Sequence, residues 1–409
     1  MSGPMSAFFR SLPTVVVVPT SESERTLAGS LHAPHFPSMR IAVPLESSPG
    51  ELRVALTPDS ITRLVKAGHE VQMQAGAGAR AGFPDSAYVN TGATVVSADT
   101  LYDGATLVCR VQPPSPDETA KMPRDVSLLS LLNPARNAPL LQQFADRGIT
   151  ALALELVPRI TRAQSMDVLS SQSTVAGYKA VLVGAAALPK FLPMLTTAAG
   201  TVSPAKVFII GAGVAGLQAI ATARRLGGVV SAFDVRPAAR EQVLSLGATF
   251  VASDLVSAAS ETSGGYAKAQ SDDDAQRTRD LLAAHLKEMD LVVTTAQIPG
   301  RDAPRLITAD MVAGMKPGAV IVDLAAESGG NCELTKAGET VQSGNVSIIG
   351  PTNLAASVPF HASQMFSKNV LALVTHLSKE GALVIDAADE ITGPMTVVRD
   401  GQVVSTPPR

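Results

Sequence analysis

From Lys206 to Gly227 the chain reads KVFII, then GAGVAG, then LQAIATARRLG: a strand-type run, a glycine-spaced turn and a helical run. That order leaves little conformational choice. Gly211 falls where a strand must turn tightly, Gly213 where backbone must approach a neighbouring group, and Gly216 where helix and strand must nearly touch. Val214 and Ala215 then open a helix whose N-terminus presents unpaired N–H groups and a partial positive charge, a ready seat for phosphate. The next strand-type run, VVSAFDV (229–235), ends in Asp234, past the last glycine by close to the ~20 residues such a unit requires. A carboxylate there accepts hydrogen bonds from both hydroxyls of an adenosine ribose and repels a 2′-phosphate. The pattern therefore points to NAD(H) rather than NADP(H), an inference that the neighbouring cation Arg236 weakens. Stripped of strand, helix and acid, the same turn would be a ligand-free glycine turn. A second glycine run, GAGARAG (76–82), lacks those partners. No acid ends a following strand at the right distance, and Pro84 interrupts the helix start, so it reads as a loop.

The unit sits in a longer rhythm. With 409 residues the chain exceeds the ~250–300 at which single cores stop growing, so two cores are expected. Its 46% apolar content, carried by Ala, Val and Leu with no Trp, suits buried parallel strands under Ala-rich helices, an α/β fold. Strand-type runs at 40–44, 69–74, 106–112, 126–132 and 150–156 alternate with helical runs at 59–68, capped by Asp59, and 138–147. A second series follows at 206–210, 229–235, 248–252, 291–295, 319–325 and 347–350. Residues 157–204 read as a polar segment and a long connecting helix, and a final helix over 357–378 is expected to return to the first unit. The expected domains are a first α/β domain over 39–168 plus 355–400 and a Rossmann domain over 169–354.

Several classes are excluded or disfavoured. A net charge of -3 without a basic stripe speaks against nucleic acid. Cys109 and Cys332 are far apart and lack neighbouring His or Cys, so they read as buried small hydrophobes, not a disulfide or metal site. No run approaches the ~20 apolar residues that cross a bilayer; the best, 180–195, is broken by Pro189, Lys190 and Pro193. Residues 1–38 show no periodicity and no signal-peptide pattern, and read as a disordered leader.

Beyond the fingerprint, PRITRAQSMDVLSSQS (158–173), RIAVPLESSPGELRVALTP (40–58), AAGTVSPAKVFIIGAGVAGLQAIATARRLG (198–227), TTAQIPG (294–300) and DLAAESGGN (323–331) resemble the signature segments of the alanine dehydrogenase and transhydrogenase α-subunit family. The resemblance spans essentially 39–400. It implies two Rossmann-like domains with parallel sheets, the first discontinuous, and NAD in the cleft between them.

The two branches of that family differ in chemistry. Alanine dehydrogenase must move a substrate proton, and the family supplies a Lys and a His for it. Here Arg110 and Leu131 match those places; Arg stays protonated and Leu transfers no proton. Arg53 matches the arginine that takes the substrate carboxylate, which alone does not make that reaction. Hydride passage between two nicotinamides needs only closeness and alignment. The resemblance thus implies the NAD(H)-binding subunit of a proton-translocating transhydrogenase. Its expected partners are a membrane subunit and a beta subunit holding NADP(H); the chain would be a homodimer, peripheral on the cytoplasmic face of the bacterial plasma membrane. Arg159, Gln164, Asp167 and Ser170 match residues around the nicotinamide end. The last three recur every third position, which would set them along one side of a tight helical turn. Tyr266, in the glycine-bearing loop 253–274, matches a lid tyrosine; an exposed loop tyrosine is the plain alternative. The rival readings are alanine dehydrogenase and a non-catalytic NAD-sensing protein.

Overall fold

The computed structural model describes residues 38–251, 272–298 and 301–404, with side chains in 272–275 set aside. The expected leader, the lid loop and Tyr266 therefore lie outside the described residues, apart from Ser38 and the loop's edges.

Two large sheets carry the fold. The first has eight strands in the order 402–403, 396–399, 150–153, 127–130, 107–109, 40–43, 70–74, 94–96. Its six N-terminal strands all run parallel, and the two C-terminal ones are added antiparallel at one edge. The second has seven, in the order 249–250, 229–233, 206–210, 291–294, 320–323, 346–349, 340–343, and only the last pairs antiparallel. In both, the first strand of the unit lies centrally and later strands are added on either side, the doubly wound arrangement. After their first residues, Arg40 and Lys206, both central strands are apolar: Ile41, Ala42 and Val43 in one and Val207 to Ile210 in the other are buried, as a strand covered on both faces must be.

Helix Pro359–Leu377 returns to the first sheet, placing Phe366, Val370, Leu373, Val374 and Leu377 in the core beneath Ile41, Met73 and Cys109. The first unit is thus discontinuous. Helix Val168–Ala187 connects the units: Val168 belongs to the first core, Ala180 and Val181 to the second. Both cysteines are fully buried and free, and burial pushes the Cys109 thiol up to about 12. No helix among the described residues is long and apolar enough to cross a membrane.

Some local expectations are corrected. Asp59 does not cap its helix: Pro58 occupies the first turn, Thr57 precedes it without a side-chain cap bond, and Asp59 instead adds first-turn negative charge. Strand 94–96, hairpin 195–202 and edge strands 340–343 and 396–403 are not foreseen in the sequence; each strand is at most four residues long, and all but buried 396–399 carry mostly polar or exposed positions.

Candidate functional site

The second sheet reverses its winding between strands 206–210 and 291–294, where a doubly wound sheet opens a crevice beyond its strand ends. GAGVAG lies there. Gly211 adopts φ +94°, a left-handed value that suits glycine, and donates its N–H to Phe233 O at 2.8 Å. Gly213 is the N-cap of helix Val214–Arg225, and a Cβ added to it would meet nothing within 4 Å, so the helix mouth stands open. A Cβ on Gly216 would strike the Gly211 carbonyl oxygen, so helix and turn need that glycine. Gly211 and Gly216 thus have the backbone tasks their spacing assigned, and Gly213 leaves the helix mouth open. Gly213, Val214 and Ala215 form an open helix N-terminus whose partial positive charge suits an anion.

Asp234 closes one side. It is 6% exposed; its Oδ2 accepts from Ala212 N at 2.7 Å, which braces the turn. Its Oδ1 accepts from Arg236 N and Nε, both at 2.9 Å, and Arg236 Nη2 reaches Oδ2 at 2.8 Å. The acid and the cation that point in opposite directions in the sequence are therefore one bidentate pair.

A second buried carboxylate escaped sequence reasoning. Asp323, fully buried at the end of strand 320–323, accepts from Thr294 Oγ1, Ala325 N, Asn331 N, Cys332 N and Thr335 Oγ1 at 2.7–3.0 Å. Asn331 in turn bridges Ala296 and Pro304. This network fixes the loops flanking the crevice. Its signal was an acid ending an apolar strand, as in VIVD, before a Gly-Gly-Asn turn.

The polar segment is built differently from its expected single helical turn. Thr161–Met166 is a 3₁₀ helix, Asp167 is extended (ψ 91°), and the α-helix starts at Val168. The break arises because Asp167 caps: its Oδ1 accepts from Ser170 N at 3.0 Å and its Oδ2 from Ser170 Oγ at 2.7 Å. Asp167 and Ser170 are thus in contact, and Gln164 lies a turn earlier. Buried Ala163 and Met166 anchor the 3₁₀ turn, leaving Gln164 exposed. Asn369 Nδ2 donates to Ser165 O at 2.7 Å, and Arg162 pairs with Glu390 and Asp389 at 2.6 and 3.2 Å, so the turn is clamped from the returning segment. Arg159 is exposed at the segment's start. The fingerprint and this segment share one rod: a Cβ on Gly177 of the connecting helix would collide with Ala215 backbone. At ~1.5 Å per residue, that contact lies about 15 Å along the helix from Asp167.

The first sheet's winding also reverses, between strands 40–43 and 107–109, but there the strand ends are plugged. Arg110, fully buried, pairs with Glu118 at 3.0 Å and lies 3.7 Å from Glu46, itself buried. Burial pushes Glu46 above the usual carboxylate range, against the pull of Arg110. Arg53 is likewise engaged: its Nε and Nη2 donate to Glu51 at 2.8 and 2.6 Å, with Gln172 and Asn353 completing the set. Burial alone would raise Glu51, yet bonds from Arg53, Asn353 and Gln112 outweigh it and hold the carboxyl at about 2.

Two doubly wound sheets, an open glycine-capped helix mouth and a strand-ending acid define a bilobal α/β protein of the dinucleotide-binding class. Residues 42–176 match "Alanine dehydrogenase/PNT, N-terminal domain" and residues 180–406 match its C-terminal domain; the chain belongs to the alanine dehydrogenase/PNT family. It is 46% identical over 375 residues to the first portion of the NAD(P) transhydrogenase subunit alpha of Rhodospirillum rubrum, covering 90% of this chain and 98% of that one. The solved transhydrogenase from Sinorhizobium meliloti superposes with a TM-score of 0.82 at 42% identity, covering 89% of this chain and 100% of that one. Alanine dehydrogenase of Halomonas elongata is more distant, at 32% identity over 89% of this chain and 94% of its own.

Proposed function

We propose that this chain is the NAD(H)-binding subunit of a proton-translocating NAD(P)+ transhydrogenase. In this reading it presents its nicotinamide to NADP(H) held on a beta subunit, beside a membrane subunit that couples the transfer to proton movement and NADPH regeneration. It would work as a homodimer, peripheral to the cytoplasmic face of a bacterial plasma membrane. The carrying observation is what fills the first unit. Where alanine oxidation needs a base, buried Arg110 sits within ion-pair range of Glu46 and Glu118, and Leu131 transfers no proton. The arginine that would take a substrate carboxylate, Arg53, is already neutralised by Glu51.

Bound NAD(H) supplies the hydride chemistry; the protein's own residues bind and orient. Gly213, Val214 and Ala215 receive the pyrophosphate on helix N–H groups, and Asp234 receives the adenosine ribose. Asp167 and Ser170, fixed by their mutual bonds, and Arg159 hold the nicotinamide end, with Gln164 on its clamped turn facing the partner. Tyr266 belongs to the lid in this reading. Alignment, not acid–base work, is what such a site contributes.

The test mixes purified chain with an NADP(H)-binding partner domain and follows hydride transfer from NADPH to an NAD+ analogue. Transfer should require the partner. No acceleration over the isolated chain, or alanine-dependent NADH formation by the chain alone, would reject the assignment.

A further inference from the structure

We propose that Arg236 sets coenzyme selectivity at the adenosine end of the site, as a displaceable guanidinium clasp over Asp234; this deepens the NAD(H) reading and rests on it. A carboxylate has two oxygens with about four lone-pair directions. All four are taken here: Oδ1 by the Arg236 N–H and Nε, Oδ2 by the Ala212 N–H and Arg236 Nη2. Of the two backbone bonds, the one from Ala212 braces the glycine turn and the one from Arg236 is local to the end of strand 229–233. A ribose diol can therefore donate to Asp234 only where the guanidinium fork lets go.

The clasp also changes what a 2′-phosphate meets. Asp234 is 6% and the Arg236 side chain 19% exposed, so the pair is largely shielded from water and its charges act at short range. A bare carboxylate in that place repels a phosphate dianion. Clasped, its formal charge is balanced and it carries a planar fork whose geometry matches phosphate as well as carboxylate. Asp234 selects the unphosphorylated ribose; Arg236 limits how strictly it does so, and competes with that ribose for the same oxygens.

The experiment measures the dissociation constants of NADH and NADPH for the full chain by calorimetry, and takes their ratio, NADPH over NADH. The parent chain is compared with Arg236→Gln, Asp234→Asn and the double variant. Asn keeps an oxygen acceptor for the Ala212 N–H, so the turn retains its brace, and any general weakening cancels in the ratio. Arg236→Gln should raise the ratio about tenfold or more by exposing the acid. Asp234→Asn should lower it about tenfold or more, with the released arginine taking the 2′-phosphate. In the double variant NADPH should bind about tenfold more weakly than in Asp234→Asn. A ratio unmoved by Arg236→Gln, or a gain in NADPH binding that survives in the double variant, overturns the clasp while leaving the NAD(H) reading intact. A parent chain that binds neither dinucleotide overturns both.

Discussion

Glu51 shows what a single buried side chain decides in this molecule. It is fully buried and accepts from Arg53, Gln112 and Asn353. Replacing it by Gln strands the Arg53 guanidinium without its counter-charge, which should cost about 3–5 kcal/mol, read by urea unfolding. The pH dependence has a definite sign. Folding holds the Glu51 carboxyl at about 2 from its ordinary 4.5, so its contribution is complete above pH 4.5 and is lost as pH falls towards 2. Glu51→Gln should therefore flatten the acid limb of stability in that window; an unchanged acid limb would show that the ion pair contributes nothing there. Single residues were also the most legible part of the sequence wherever local geometry forces them. Gly211 and Gly216 each fulfil a backbone requirement that their spacing alone expresses. Asp323 was not legible, because its five hydrogen-bond donors come from three separate segments. Nor could spacing reveal that Asp234 and Arg236 form a pair rather than two opposing hints.

At the scale of elements, helix 168–187 ties the two units to one site. Asp167 caps its N-terminus, Gln172 reaches Arg53, and Gly177 packs on the fingerprint helix. Capping and function can be separated there. Asp167→Ala should lose about 1 kcal/mol of stability with the cap, whereas Asp167→Asn, which still caps, should lose little. Both should slow partner-dependent hydride transfer while NADH affinity stays within about threefold, if the carboxylate orients the nicotinamide rather than binding the coenzyme outright. Normal transfer in the Asn variant would leave Asp167 as a cap alone. Apolar strands were legible in place, though often several residues too long, because burial on two faces imposes a continuous pattern that runs on past the paired residues. The every-third-residue rule failed at Asp167 for a local reason: a short polar side chain that satisfies helix N–H groups starts a new helix and so interrupts the old one. Hairpin 195–202 was invisible because all its strand positions are exposed and bear no alternation.

The whole molecule is two sheets joined by one long helix, a returning segment and, among the described residues, two polar ties of contrasting character. The buried tie runs from Arg53 to Gln172 and Asn353. The exposed one runs from Arg136, on the loop after strand 127–130, to Asp302 at 2.9 Å and the Glu327 carbonyl at 3.4 Å, on loops beyond the second sheet. An exposed ion pair is worth less than about 1 kcal/mol, too little to matter for folding but enough to bias the separation of two lobes around a ligand. Arg136→Ala should thus leave unfolding stability within about 0.5 kcal/mol. It should speed NADH dissociation about two- to fivefold, the most that ~1 kcal/mol allows. Raising salt should reproduce the faster dissociation in the parent chain and add little in the variant, since ions screen an exposed pair. Stopped-flow release of NADH at low and high salt separates the cases. A stability loss above about 2 kcal/mol with unchanged release would make Arg136 a structural residue, and release equally salt-sensitive in parent and variant would show that this ion pair does not govern it.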